Sequence, residues 1–134
     1  MISVVIRTLN EVKSLDRLLK ILSYQSIKHE VIVVDSGSTD GTIEVAKKYN
    51  TILTTCIPFT YGKALNVGIN ISKYNHICFL SAHCFPTNDN YLKTLFLNFN
   101  NDTVAGVYSK QLPIEESNFV DKRNLYAKRS LGKI

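Results

Sequence analysis

The sequence predicts an α/β domain, a mostly parallel β-sheet flanked by helices. Short, nearly unbroken apolar runs rich in β-branched residues, ISVVIR (Ile2 to Arg7), EVIVVD (Glu30 to Asp35) and HICFLS (His76 to Ser81), have the pattern of strands covered on both faces. Between these runs apolar residues recur at intervals of three and four, as on the buried side of a helix. Strands alternating with helices of this length imply right-handed crossovers and therefore parallel neighbours.

The first strand leads at once into a helix whose Val12, Leu15, Leu18, Leu19 and Leu22 share one side. After the second strand, SGSTDG (Ser36 to Gly41) supplies a turn and helix caps. A second helix is predicted from about Thr42 to Tyr49, with Ile43 and Ala46 inward. A short strand follows over Thr51 to Thr54, then a loop punctuated by Pro58 and Gly62. KALNVGINISK (Lys63 to Lys73) reads as a third helix packed through Leu65, Gly68, Ile69 and Ser72. A glycine costs such a helix about 1 kcal/mol against alanine, so Gly68 marks a close approach to the sheet or to a ligand. Thr87 or Asn88 is expected to cap a helix that carries Leu92, Leu95, Phe96 and Phe99. A strand over Thr103 to Ser109 and a last helix over about Val120 to Leu131 complete the order βαβαβαβαβα.

A chain of 134 residues is the size of one domain, and 45% hydrophobic with 20% charged residues excludes a disordered or fibrous class. The formal charge of +5 is partly local, with Lys122, Arg123, Lys128, Arg129 and Lys133 near the end, and these form either a solvated helix face or a surface for an anionic partner. No stripe of aromatics interleaves with Lys and Arg, so nucleic acid is not an expected partner. Cys56, Cys78 and Cys84 are an odd set without a disulfide framework, which predicts free thiols in a reducing compartment. Neither a signal peptide nor a membrane span is predicted, because the longest apolar stretches are only strand length.

In a parallel sheet the carboxyl ends of the strands open toward one crevice, so Thr8, Asp35, Ser36, His83 and Cys84 are predicted to converge. Asp35 suits either ribose hydroxyls or the amides of its own turn. Asp40 stands where it can satisfy the first amides of the second helix. Lys63, at a helix start, is either solvated or a phosphate ligand. The glycine fingerprint of dinucleotide enzymes and the GxxxxGK[ST] phosphate loop are both absent, which disfavours a Rossmann dehydrogenase and a nucleotide triphosphatase. His83 is either a polar side chain at a loop mouth or a ligand to a divalent cation. Zinc on His76, Cys78, His83 and Cys84 is disfavoured because no C-x₂₋₄-C pair occurs and Cys78 lies within a strand. A His83–Cys84 nucleophilic pair is disfavoured because adjacent residues rarely aim at one reacting atom.

The ordered set SVVIRTLNE, VIVVDSGSTDGT, YGKALNVGI and FLSAHCFP resembles the nucleotide-sugar half of the inverting glycosyltransferases of family 2, over residues 2 to about 112. That resemblance implies the Rossmann-like nucleotide-binding half of a GT-A fold. It also implies a donor pocket formed by Thr8, Asn10, Glu11, Asp35, Ser36 and Ala82, with Lys63 nearby. The family commonly has Asp-x-Asp where this chain has Ser81-Ala82-His83, and the last acid helps to bind a divalent cation. His83 is thereby assigned to Mn²⁺ or Mg²⁺, at a site weakened by the preference of hard cations for oxygen. The SAHC variant resembles the subset that transfers rhamnose or similar sugars onto polysaccharide.

The implied activity is hexosyl or deoxyhexosyl transfer from a UDP- or dTDP-linked donor to a saccharide or lipid-linked acceptor, in cell-surface polysaccharide synthesis. The cation would neutralise the departing nucleoside diphosphate while a carboxylate deprotonates the acceptor hydroxyl. In the family that base lies beyond the basic segment, here 113–134, and Glu115, Glu116 and Asp121 do not stand in its context. No catalytic base is assigned. Residues 1–134 are read as a single nucleotide-sugar-binding domain, truncated where the chain leads toward an acceptor region, and are expected to bind donor without efficient transfer. The alternative is a noncatalytic nucleotide-sugar-binding or interaction module. Placement in the cytoplasm, with peripheral contact at the inner face of the membrane, and self-association through apolar surface bared by a missing acceptor half are further expectations.

Overall fold

A computed structural model describes residues 1–101, 103–113 and 117. Among them the elements alternate: β1 (Ile2–Thr8), α1 (Val12–Leu22), β2 (His29–Asp35), α2 (Thr42–Lys48), β3 (Ile52–Thr55), α3 (Tyr61–Ile71), β4 (His76–Ser81) and α4 (Tyr91–Leu97). The strands form one parallel sheet in the order β3-β2-β1-β4. β1 is its axis, pairing with β2 from Ile2↔His29 to Thr8↔Asp35 and with β4 from Ile2↔His76 to Arg7↔Ser81.

The unbroken apolar runs are explained by this position. Successive side chains of a strand point to opposite faces, and both faces of β1 are covered. Val4 and Ile6 join Val33, Leu80, Leu92 and the α1 leucines in one cluster, while Val5 joins Ile32, Val34, Cys56 and Ala64 of α3 in the other. Leu15, Leu18, Leu19 and Leu22 are the buried stripe of α1, each contributing about 2 kcal/mol by burial. The chain therefore passes from β1 to β2 by a helix on one face and reaches β4 by a helix on the other. The carboxyl ends of β1 and β4 meet at the point where that direction reverses, the place where open α/β sheets hold ligands.

Several sequence expectations are corrected. α3 begins at Tyr61 rather than Lys63, because Thr60 caps it by accepting the Lys63 amide at 3.2 Å. Its packed side is Ala64, Val67 and Gly68, whereas Leu65 is half-buried and Ile69 exposed. On α2, Val45 rather than Ile43 packs with Ala46. Neither Thr87 nor Asn88 is the cap of α4: that position is Asn90, and the buried Gln25 secures the helix start by accepting the Leu92 amide at 3.0 Å. Thr103 to Ser109 is not a strand, since β4 is the last strand on that side and no ladder joins the two. Gly106 has open space around it and Tyr108 is exposed, so the segment lacks the two-sided cover that β1 enjoys. The helix expected over 120–131 and the basic residues from Lys122 onward lie outside the described residues.

The three cysteines are free thiols, and burial pushes that of Cys78 up to about 11. Among the described residues no helix is long and apolar enough to cross a membrane.

Candidate functional site

Two turns build the crevice at the carboxyl end of the sheet, and a set of side-chain to backbone bonds fixes them to each other. Asp35, 1% exposed, ends β2 and accepts the amides of Gly37 and Ser38 through Oδ2 at 2.8 and 2.9 Å, while Oδ1 takes the Ser38 hydroxyl. Ser38 Oγ in turn accepts the Asn10 amide, and Asn10 Oδ1 accepts that of Thr39. Asn10 sits at φ 52°, in the left-handed region that asparagine tolerates better than most side chains. Asp40 does not merely serve α2. Its Oδ1 takes the Thr42 amide and hydroxyl, and its Oδ2 the first amide of α1, Val12, at 3.2 Å. These bonds, that of the Thr42 hydroxyl foremost, hold the Asp40 carboxyl below the usual carboxylate range.

This frame leaves Glu11 at the N-cap of α1, its amide held by Thr42 Oγ1 at 2.9 Å and its carboxylate free to turn into the crevice. There Oε1 lies 3.2 Å from His83 Nδ1. His83 is carried by a tight turn after β4, closed by the Cys84 amide on Ser81 C=O at 2.9 Å. Buried Ala82 anchors this turn, and the Arg17 guanidinium lies 4.2 Å above the Phe85 ring just beyond it. An ionised carboxylate can only accept, so the proton of a neutral His83 sits on Nδ1 and the Nε2 lone pair is left for an electrophile.

The crevice has a volume of about 210 Å³. Of the residues singled out in the sequence, Thr8, Glu11, Ser36, Ala82 and His83 line it. Asp35 and Asn10 stand behind the wall as its fasteners, the Asp35 carboxylate being bonded to its own turn. Lys63 is not brought in: its exposed ammonium reaches the Pro58 carbonyl at 3.5 Å, because the earlier start of α3 turns Tyr61 rather than Lys63 toward the strand ends. The hydroxyls of Thr8 and Ser36 are buried without a partner. Such groups cost about 1–3 kcal/mol each until something bonds to them, which makes them a ready complement to a polar ligand.

Sequence reasoning did not single out the lining residues Arg7, Leu9, Phe59 and Tyr61, and gave Ser81 only as the place of the family's first acid. Arg7 Nη2 donates to Ser81 Oγ at 3.0 Å, and its Cζ lies 4.5 Å from the Tyr61 ring centroid. Phe59 meets Tyr61 edge-to-face at 5.1 Å. The one available signal was the Pro58-to-Gly62 loop, whose two aromatics had no place in a core pattern.

A larger cavity of about 270 Å³ opens at the opposite end of the sheet, beside Glu30, Tyr49 and Thr51. Its Glu30 spends Oε1 on the Ser3 hydroxyl and the Lys73 amide, a tie between β1, β2 and the α3–β4 turn. Among the described residues no three His, Cys, Asp or Glu side chains converge on one metal position. With Glu11 Oε1 on its Nδ1, His83 can offer one N donor through Nε2, and a cation held there would need oxygens from its ligand.

Comparison with known proteins agrees with this fold. The O-antigen chain rhamnosyltransferase WbaN of Salmonella anatum is 30% identical over 92 residues, which is 66% of this chain and 29% of that protein. The S. aureus TarS fragment 1–349, solved in complex with UDP, superposes with a TM-score of 0.65 at 25% identity, covering 86% of this chain and 39% of that one. The mannosyltransferase PcManGT of Pyrobaculum calidifontis, solved with GDP-Man and Mn²⁺, has a TM-score of 0.69 at 23% identity, covering 77% and 33%, and shares the fold. The chain spans about 30% of the length of the curated relatives it matches. Glycosyl transferase family 2 matches residues 3–132, nearly the whole sequence, and the chain belongs to that family.

Proposed function

We propose that the crevice holds the nucleoside diphosphate end of a UDP- or dTDP-linked sugar, and that the enzyme transfers this sugar to a saccharide or lipid-linked acceptor in cell-surface polysaccharide synthesis. The observation that carries the reading is the convergence of β1, β2 and β4 ends on one cavity. That cavity has two unpartnered hydroxyls, of Thr8 and Ser36, and an imidazole whose Nε2 is freed by Glu11. The resemblance to an O-antigen chain rhamnosyltransferase puts a deoxyhexose donor first.

His83 Nε2 would be the protein's ligand to Mn²⁺ or Mg²⁺, with Glu11 orienting the ring. A bound cation supplies charge neutralisation for the departing diphosphate. Thr8 and Ser36 would bond the nucleotide, and the Phe59–Tyr61 pair would exclude water on one side. Work in the cytoplasm, at the inner face of the membrane, fits an acceptor carried on lipid.

The test is thermal unfolding of the 134-residue chain with UDP, dTDP or GDP, each in Mn²⁺, Mg²⁺ or EDTA. A ligand at a hundred times its Kd stabilises by about 2.7 kcal/mol, so a rise of several degrees with UDP or dTDP and cation is expected. His83→Ala should remove the cation-dependent part of that rise and spare the rest. Absence of any shift with every nucleotide, with and without cation, would contradict the proposal.

A further inference from the structure

We infer that Arg7 is a diphosphate-binding residue that gives the crevice a hold on its ligand independent of any cation. The inference rests on the reading of the crevice as a nucleotide site and adds to it a second source of positive charge.

Arg7 and Ser81 are cross-strand partners at the carboxyl ends of β1 and β4, where the path of the chain reverses. In a parallel ladder such partners present their side chains to the same face, here the face covered by α3. The short Ser81 side chain accepts one N–H from Arg7 at 3.0 Å, and it is neutral. A carboxylate at that place would pair with the guanidinium and cancel its charge; a serine fixes its position and leaves the charge intact.

Tyr61 completes the arrangement. Its ring, 4.5 Å from Arg7 Cζ, supports one side of the guanidinium and engages none of its edge N–H groups. Arginine carries five such donors in a planar fork that matches phosphate oxygens two at a time. Among the described residues no Asp or Glu oxygen comes within 4.0 Å of Arg7, and the crevice's carboxylate, Glu11, is engaged with His83. A half-buried arginine held in position on two sides, with a full charge and donors to spare, faces a cavity whose buried hydroxyls also lack partners. The ligand that satisfies all of these is a polyanion rich in acceptor oxygens.

The consequence is a division of labour. Arg7 holds the diphosphate with or without cation, and His83 contributes only when cation is present. The test measures the affinity of the full chain for uridine, UMP and UDP, and for the thymidine series, in EDTA and in Mn²⁺, with Arg7→Met, Arg7→Lys and His83→Ala beside the parent. Met keeps the apolar stem, and each variant's melting temperature without ligand reports whether it folds as the parent does.

In EDTA the parent should bind the diphosphate about 10- to 100-fold more tightly than the nucleoside. Arg7→Met should erase that preference and leave nucleoside affinity within about twofold. Arg7→Lys should keep part of it, and His83→Ala, which leaves Arg7 in place, all of it. The inference is overturned if Arg7→Met retains the preference, or if nucleoside and diphosphate weaken equally, the mark of a packing role. A parent that prefers the diphosphate only in Mn²⁺ overturns the inference and leaves the nucleotide reading standing. A parent that binds no nucleotide in either condition ends both.

Discussion

Replacing Gly68 by alanine is expected to destabilise the chain by about 3 kcal/mol, although helix propensity alone would make the change favourable by about 1 kcal/mol. A Cβ at this position would lie 2.3 Å from Val5 Cγ1, 3.0 Å from Cγ2 and 3.2 Å from Cβ. Both methyls and the branch carbon of Val5 are too near, so no rotation about χ1 relieves the contact, and Val5 is fully buried at the axis of the sheet. The helix must lift from β1 or the strand must shift. Either movement carries Tyr61, in the first turn of α3, away from Arg7, so affinity for a diphosphate should fall with stability. Chemical denaturation of Gly68→Ala alone and combined with Val5→Ala separates the causes. Val5→Ala has its own cavity cost, but adding Gly68→Ala to it should cost less than about 1 kcal/mol because the offending methyls are gone. A Gly68→Ala chain as stable as the parent would show that the close approach of α3 to β1 is wrong.

Asp35→Ala is the second large effect, with an expected loss of about 3 kcal/mol and a fall in melting temperature of roughly 10 °C. The substitution strands the amides of Gly37 and Ser38 and releases the Ser38 hydroxyl, which also holds the amide of Asn10. Because the β1–α1 and β2–α2 turns are fastened through this group, Glu11 and Ser36 both lose their places. Nucleotide affinity should then drop by a similar factor in Mn²⁺ and in EDTA. That pattern differs from the cation-selective loss expected of His83→Ala. Asp35→Asn can keep, in the place of Oδ2, an acceptor for both amides and loses only the oxygen that accepts the Ser38 hydroxyl, so it should cost less. If Asp35→Ala instead retained parental stability and lost only nucleotide affinity, the carboxylate would be a ligand to the nucleotide and not a fastener of the turn.

The parts of this fold that were legible in the sequence are those set by burial on both sides. β1 and β2 are continuous apolar runs because each has a strand on either hand and packed side chains on both faces, β4 carries a similar run at the sheet edge with Leu80 buried and Phe79 exposed, and the α1 leucines repeat because one side of that helix is dry. Thr103 to Ser109 has the composition of a strand without the neighbour that makes one, and a neighbour is not written in a seven-residue window. Site residues divided the same way. Ser36 and His83 follow closely on strand ends, so chain order pointed to them, whereas Glu11 came only from the family resemblance. Arg7 did not stand out because it closes an apolar run, and what defines it, Ser81 and Tyr61, lies far along the chain. Lys63 stood out for its charge and a nearby helix start, but the cap at Thr60 shifted the helix and brought an aromatic into the position expected of a cation.

The chain's three histidines allow a direct test of where cation and nucleotide meet. His83 lies beyond the carboxyl end of β4, whereas His29 and His76 sit at the amino ends of β2 and β4, opposite Ile2 and roughly 20 Å away along the strands. In the NMR spectrum of the chain with UDP or dTDP, a small amount of paramagnetic Mn²⁺ should broaden the ring signals of His83 strongly and leave those of His29 and His76 sharp. Broadening of His29 and His76 with His83 unaffected, or equal broadening of all three with or without nucleotide, would contradict the placement of the donor site at the β1–β4 strand ends.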